Sequence, residues 1–371
     1  MKTTYYTKKR RATSVRHQLA LSGSRAGKSA AAAVISAVTL ASVSTNTTAS
    51  DTLTFASWGG AYQEAQMEAL VDPAAEKLGI SINEDSHTGI AAIKTQVKSG
   101  NVFWDVVDLA QAECQRGANE GLWMELDYDL IPNADAIPEE YKTDHWVGLI
   151  TYGTVLAWNK ETAGSEKVPQ NWAEFFDTDQ FPGVRAMRNN ARESLEIALM
   201  ADGVHPDELY PLDVDRAYKK LEEIKGDVNW WTAGAESTQQ IADGAVDYSA
   251  MWNGRVQSAI DDGAPADFLW NQSIVQIECV LVPRGTDNPE MAMRLINEML
   301  DPESQANYAN IIPYGPVNPD AYETGIIRDE VLAALPTSPE NIDETFLLDA
   351  DFWASEEGVG AIERWSRFTQ Q

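Results

Sequence analysis

From Thr52 to Phe55 hydroxyl and apolar residues alternate with the two-residue period of a half-buried strand, and the run breaks at Ser57-Trp58-Gly59-Gly60. Apolar residues then recur at helical spacing, with Met67, Leu70, Val71 and Ala74 on one stripe. That spacing predicts a helix from about Ala61 to Leu78, bent at Pro73 and ended by Gly79. Ile80 and Ile82 mark a short second strand, Ile93 and Val97 a second helix stopped by Gly100, and Val102 to Leu109 a third strand. This strand-helix-strand-helix-strand order predicts a parallel sheet covered by helices, whose ligands sit where strand C-termini meet helix N-termini. The break at Trp58 to Gly60 therefore faces a cleft.

An amphipathic stretch from Gln111 to Gly121 and a segment bearing Pro132 and Pro138 lead to an apolar strand, Gly153 to Trp158, expected to cross into a second lobe. That lobe begins with Asn171 as a helix N-cap and Glu174 three residues on. Helices follow at about Ser194 to Asp202 and Asp213 to Lys225. Ile274 to Val282 reads as the return strand, and the remainder as mostly helical around a loop at Ile312 to Pro316. The expected organisation is a leader over 1–50, the first part of lobe 1 over 51–157 and lobe 2 over 158–272. Residues 273–371 then supply the return strand, the rest of lobe 1 and the C-terminal helices.

The first fifty residues carry eight Lys and Arg, no acid, and a small apolar run from Ala30 to Val43, the composition of a secretory leader. Small residues near Ala49 suit cleavage just before Asp51, which would place the mature protein in the periplasm. Losing those bases takes the net charge from −29 to −37. Such a surface repels nucleic acid and anionic membranes, and it serves solubility before it serves specificity. Cys114 and Cys279 lie in apolar or amphipathic segments and are expected as buried thiols, with a disulfide as the alternative in an oxidising compartment.

Catalytic signatures do not emerge. After the leader the histidines are His87, His145 and His205, at no chelating spacing, so neither a metal nor any other cofactor is expected. The chain has no C-x-x-C, no G-x-S-x-G and no phosphate-binding glycine loop, and it is not expected to be an enzyme. The unusual feature is twelve Trp. Trp104, Trp123, Trp158, Trp172, Trp353 and Trp365 read as core. Trp58, Trp231, Trp252 and Trp270 stand at strand ends or loops near the cleft, where two uses compete: core packing, or an aromatic cage attracting an alkylammonium group by about 0.5–2 kcal/mol per contact.

Ser57-Trp58-Gly59-Gly60-Ala61-Tyr62, Trp104-Asp105-Val106-Val107-Asp108-Leu109, Phe181-Pro182-Gly183, Ala201-Asp202-Gly203-Val204, Tyr210-Pro211-Leu212-Asp213, Trp252-Asn253-Gly254-Arg255 and Trp270-Asn271-Gln272 occur in this order. Together they resemble the periplasmic spermidine/putrescine-binding family of ABC importers over nearly the whole mature chain. The resemblance implies a type II periplasmic binding protein fold, with hinge strands joining two Rossmann-like α/β lobes that close on a ligand. It also implies a monomer that serves an inner-membrane ABC permease. By matching motif, Trp252 falls on a cleft tryptophan and Glu278 on a carboxylate that is usually Asp. Gln276 stands where polyamine binders tend to have a second Trp, and the Trp-Asn-Gly motif continues into Arg255.

Arg255 separates two ligand classes. A guanidinium facing the cleft repels one end of a diamine, whereas a carboxylate there gains about 1.5–3 kcal/mol. Arg255 and Glu278 thus read as the two poles of a zwitterion site, as in the subgroup that the resemblance suggests for γ-aminobutyrate-like molecules, with a polyamine as the alternative. Arg255 pairing internally with Glu278 or Asp247 is the structural competitor. Tyr62 could close the pocket as a hydroxyl donor or a ring wall. Arg188 and Arg192 are further candidates for which surface or interlobe pairing is the favoured use.

Overall fold

The computed structural model describes residues 52–163 and 167–369. The leader expectation lies outside them. The described chain runs β1 (Thr52–Ser57), α1 (Gly60–Gln66), a π-helical turn (Met67–Val71), α2 (Asp72–Leu78), β2 (Ser81–Ser86), α3 (Ile90–Ser99), β3 (Val106–Ala110), α4 (Gln111–Asn119) and β4 (Val147–Asn159). Next come α5 (Trp172–Phe176), β5 (Arg185–Arg188), α6 (Ala191–Ala201), α7 (Val214–Leu221), β6 (Val228–Trp231), α8 (Gly234–Ala242), β7 (Tyr248–Trp252), α9 (Asn253–Asp261) and β8 (Ala266–Leu281). The last elements are α10 (Pro289–Met299), α11 (Pro302–Ile311), β9 (Gly315–Pro316), α12 (Asp329–Leu332), β10 (Thr345–Leu347), α13 (Ala350–Ala354) and α14 (Glu356–Phe368). Among the described residues no helix is long and apolar enough to cross a membrane.

One sheet holds the strands in the order β2-β1-β3-β8-β4-β7-β5-β6. β1 pairs in parallel with β2 and β3, and β5 in parallel with β6 and β7, so each end of the sheet is a parallel α/β half. Between them lie two long antiparallel strands, β4 and β8, paired from Val147↔Val280 to Asn159↔Ala266. β3 lies along one end of β8 and β7 along the opposite end of β4. These two strands therefore run through both halves. Their register shifts between Thr154 and Leu156, where β8 carries extra residues around Gln272, a non-glycine at φ +59°. α5 clamps this bulge, since Trp172 donates its backbone N–H to the Gln272 side chain (3.2 Å) and its indole N–H to the Gln272 carbonyl (2.9 Å).

The early strands and helices form where the hydrophobic period predicts them. The bend in the first long helix falls just ahead of Pro73, whose missing N–H leaves the Ala69 carbonyl without its i+4 donor, and the chain widens there into the π turn. β3 begins at Val106 rather than Val102 because Asp105 turns its carboxylate to the Thr54 N–H (2.8 Å), capping the pairing with β1. β4 begins at Val147, six residues before the expected start, and is buried throughout except at Trp158. The lobe-2 strands β5, β6 and β7 and the helices α8 and α9 were not legible individually. β5 is a four-residue strand carrying a fully buried Arg185, whose guanidinium donates to the carbonyls of Phe175 (3.1 Å), Gly183 (2.5 Å) and Phe181, so no apolar run announces it.

Cys114 on α4 and Cys279 on β8 are joined as a disulfide, which corrects the expectation of two free thiols. Both are fully buried, and burial alone could not distinguish a bonded pair from two thiols before the tertiary structure brought them together. The C-terminal helices return to the second half. There Trp353 donates to Glu196 (2.7 Å), Tyr218 donates its hydroxyl to the Ala361 carbonyl (2.8 Å), and Trp365 packs edge-on to Trp230.

Candidate functional site

A cavity of about 440 Å³ opens where the parallel halves meet the long strands. One wall carries Trp58, Tyr62, Glu113, Tyr152, Glu278 and Tyr314, and the other carries Arg188, Asn190, Arg192, Trp252 and Arg255. Five of the seven sequence-predicted site residues line it: Trp58, Tyr62, Trp252, Arg255 and Glu278. Each is delivered by the end of an element. Trp58 follows β1 and precedes Gly59 (φ +75°) and Gly60 (φ +62°), whose left-handed backbone turns the chain into α1 and brings Tyr62 to the wall. Trp252 ends β7, Arg255 stands in the first turn of α9, and Glu278 sits on β8 opposite Ala110 of β3.

The other two predicted residues take packing roles. Trp231 is 1 % exposed and stands behind Trp252, with ring centroids 5.1 Å apart and nearly perpendicular planes, while its N–H goes to the Ala250 carbonyl. It buttresses the cavity indole and does not line the cavity. Trp270 lies in the β8 bulge with its six-membered ring over Gly153, where an added Cβ would come within 2.8 Å, and it donates to the Ala333 carbonyl (3.1 Å). It too is absent from the lining, because the bulge carries it to the other face of β4. Gln276 is a short distance away, accepting from the Tyr152 hydroxyl (3.3 Å).

The acidic pole is a buried cluster. Glu278 accepts from the Trp58 indole N–H (3.0 Å), and burial, together with the neighbouring Asp108, holds its carboxyl well above the usual carboxylate range. Asp108 is fully buried behind it and accepts from Ser57 (2.9 Å) and Gln66 (3.1 Å). Burial pushes it up to about 6 despite those donors. Its second oxygen and the Tyr62 hydroxyl are buried in the same cluster, where Tyr62 joins Ser57 and Gln66 in favouring the charged form of Asp108. His87 takes a fixed structural role: its Nδ1 accepts from the Gly89 N–H (3.1 Å), its Nε2 donates to the Asp108 carbonyl (2.8 Å), and burial lowers its pKa.

The basic pole belongs to the second half. The Nε groups of Arg255 and Arg192 and the Trp252 indole N–H are buried without partners. Arg188 is bonded to Glu193 (2.8 Å) and lies 4.8 Å over the Trp252 ring. Arg255 pairs with neither Glu278 nor Asp247 within ion-pair distance among the described residues; Asp247 instead accepts from the Val184 N–H (2.6 Å). Gly234 makes room for this pole, since a Cβ there would lie 2.5 Å from the Arg255 Nε and 3.1 Å from Trp252.

Sequence reasoning missed Glu113, Tyr152 and Asn190, and had Tyr314 only as part of an unassigned loop. Tyr314 packs on Gly254, where a Cβ would approach it to 2.6 Å, so the glycine of the Trp-Asn-Gly-Arg motif marks a close ring contact. The asparagine of that motif is fully buried: Asn253 accepts from the Gly153 N–H (2.9 Å) and donates to the carbonyls of Pro313 (2.7 Å) and Ala334 (2.8 Å). Asn253→Ala leaves those three groups unsatisfied and is expected to cost about 2 kcal/mol in urea unfolding. A variant as stable as the parent would refute that role.

Residues 69–336 match the family model described as bacterial extracellular solute-binding protein. The chain is 34 % identical over 311 residues to a gamma-aminobutyric acid-binding protein of Pseudomonas aeruginosa, covering 82 % of this chain and 87 % of that one. It is 24 % identical over 282 residues to a spermidine/putrescine-binding periplasmic protein of Haemophilus influenzae, covering 74 % and 77 %. Among solved structures, an ABC transporter substrate-binding protein from Bradyrhizobium japonicum superposes with TM-score 0.83 at 48 % identity, covering 86 % of this chain and all of that one. The Atu4243-GABA receptor superposes with TM-score 0.81 at 33 % identity, covering 86 % and 98 %. With its two parallel halves, its paired long strands and the cavity between them, the chain belongs to the bacterial extracellular solute-binding protein family, is two-lobed as the sequence predicted, and serves ABC transport as a binding protein and not as an enzyme.

Proposed function

We propose that this protein is exported to the periplasm with removal of residues 1–50, and that as a monomer it captures an amino-acid-like zwitterion of the γ-aminobutyrate kind for an inner-membrane ABC permease. Lobe 1 begins over 51–157, lobe 2 covers 158–272, and 273–371 completes lobe 1 and ends in the C-terminal helices. The ligand carboxylate meets Arg255 and its ammonium meets Glu278, with the faces of Trp58 and Trp252 and the Tyr62 ring around its methylenes. One observation supports the reading: Arg255, which has no carboxylate partner and a buried Nε without a hydrogen bond, lines the same cavity as the carboxylate of Glu278. Ligand bound to both walls stabilises the closed arrangement by its differential affinity for it. The similarity to the gamma-aminobutyric acid-binding protein supports this ligand class. A diamine would set one ammonium against Arg255, so the polyamine reading is not favoured.

A thermal-shift screen of the purified mature protein tests the choice, because a ligand at a hundred times its Kd adds about 2.7 kcal/mol of stability. γ-Aminobutyrate, β-alanine or a betaine should raise the melting temperature, and putrescine and spermidine should not. A shift with the diamines alone would overturn the assignment.

A further inference from the structure

The cavity holds more positive charge than one ligand carboxylate uses. Three guanidiniums line it from the second half. Arg188 is neutralised by Glu193, which is 1 % exposed and bonded to it at 2.8 Å. On the proposed function, Arg255 takes the ligand carboxylate. Arg192 remains, with its Nε buried and without a hydrogen-bond partner.

The backbone at this position is built for the cavity and not for the helix. Arg192 sits at φ −59°, ψ 145° and Glu193 at φ +65°, outside helical geometry, so the regular turns of α6 begin only after them. Asn190 holds the distortion by accepting from the Arg192 N–H (3.0 Å), and the Arg188–Glu193 pair holds it from the other side. A left-handed non-glycine residue is costly and tends to persist where it positions a functional group. Here it leaves Arg192 in the cavity wall beside Asn190.

Arg192 reaches the Glu278 end of the cavity. Besides the main cavity it lines a small cleft with Ala110, Tyr152 and Gln276, which Arg255 does not line, and Ala110 pairs with Glu278 across β3 and β8. Arg192 is also the charge that most opposes the upward shift of the Glu113 carboxyl on the facing wall. Arg192 therefore belongs to the ammonium end of the site, not the Arg255 end. Glu113 accepts from the Ile90 N–H, which engages it within its own lobe.

We propose that the preferred ligand is an acidic α-amino acid: a distal carboxylate on Arg255, an ammonium on Glu278, and a second carboxylate on the ammonium-bearing carbon, read by Arg192. This rests on the zwitterion assignment and narrows it. A planar guanidinium meets a carboxylate with two parallel N–H donors, which is the contact that Arg192 lacks.

Isothermal titration of the mature protein with two ligand pairs tests it: L-glutamate against γ-aminobutyrate, and L-aspartate against β-alanine. In each pair the members differ by the one carboxylate. At least one acidic member should bind tenfold or more tighter than its partner. Arg192→Ala should abolish that advantage without weakening γ-aminobutyrate or β-alanine, whose ammonium loses a neighbouring like charge, and Arg192→Lys should restore part of it. Equal weakening of both members by Arg192→Ala would identify a cross-cleft pair with Glu113 and overturn the proposal, as would acidic members that bind no tighter. If γ-aminobutyrate and β-alanine bind and depend on Arg255 but the acidic pair shows no gain, the zwitterion reading survives and only this refinement fails. If no member of either pair binds, both fall together.

Discussion

Arg255→Ala is expected to weaken a carboxylate-bearing ligand by about 2–5 kcal/mol, the cost of removing one partner from a desolvated charge pair. The Nε of Arg255 is buried without a hydrogen-bond partner in the free protein, and only the neutral Tyr314 hydroxyl engages the guanidinium, so no carboxylate of the protein competes with the ligand for it. The loss should appear in the dissociation constant from calorimetry, with the melting temperature of the ligand-free variant little changed, because no internal ion pair is broken. Arg255→Lys keeps the charge but loses the planar fork, and should fall between parent and alanine variant. Unchanged affinity in Arg255→Ala would remove the guanidinium from the site.

Glu278→Gln should move stability and binding in opposite directions. Glu278 is buried beside Asp108, and both carboxyls are raised by desolvation. A carboxyl whose native pKa lies above its unfolded value binds more protons in the folded state between the two. Its contribution to stability is therefore present below the unfolded pKa and is lost as pH rises through the native one. For Asp108 that window runs from about 3.8 to about 6. Part of the stability of the ligand-free protein is thus surrendered at neutral pH to keep an anionic pole. Glutamine preserves an oxygen for the Trp58 N–H and offers Asp108 a donor, so the ligand-free variant should be more stable by roughly 1–3 kcal/mol at pH 7. An ammonium ligand loses its counter-charge and should bind about 2–5 kcal/mol more weakly. In the parent protein, affinity for the amine should likewise fall as pH is lowered and Glu278 becomes neutral. Tighter binding at pH 5 than at pH 8, or a Glu278→Gln variant that melts lower and still binds, would contradict this role.

The same cluster explains why this acidic site is absent from simple pattern reading. Asp108 lies in an apolar strand and looks like an interruption of it. Only the antiparallel pairing of β3 with β8, Asp108↔Val280 and Ala110↔Glu278, brings two carboxylates 170 positions apart in the chain into one desolvated space. Trp231 illustrates the opposite error. At the end of a strand and next to Trp230 it has every local mark of a cavity aromatic, yet the sheet order puts it behind Trp252.

What the sequence determines by itself is local and periodic: the β-α-β-α-β opening, the cap at Asn171, the break at Gly59-Gly60, and a resemblance strong enough to single out Trp252, Arg255 and Glu278. Hydrophobic period, turn glycines and capping side chains act within a few residues, so they can be read along the chain. Tertiary structure alone decides the Cys114–Cys279 bond, the return of the C-terminal helices to the second half, and which of the indoles line the cavity. These depend on the register of β4 with β8 and on a bulge near Gln272 that turns Trp270 away. Strand register is set by contacts between residues more than a hundred positions apart, and no local propensity encodes it.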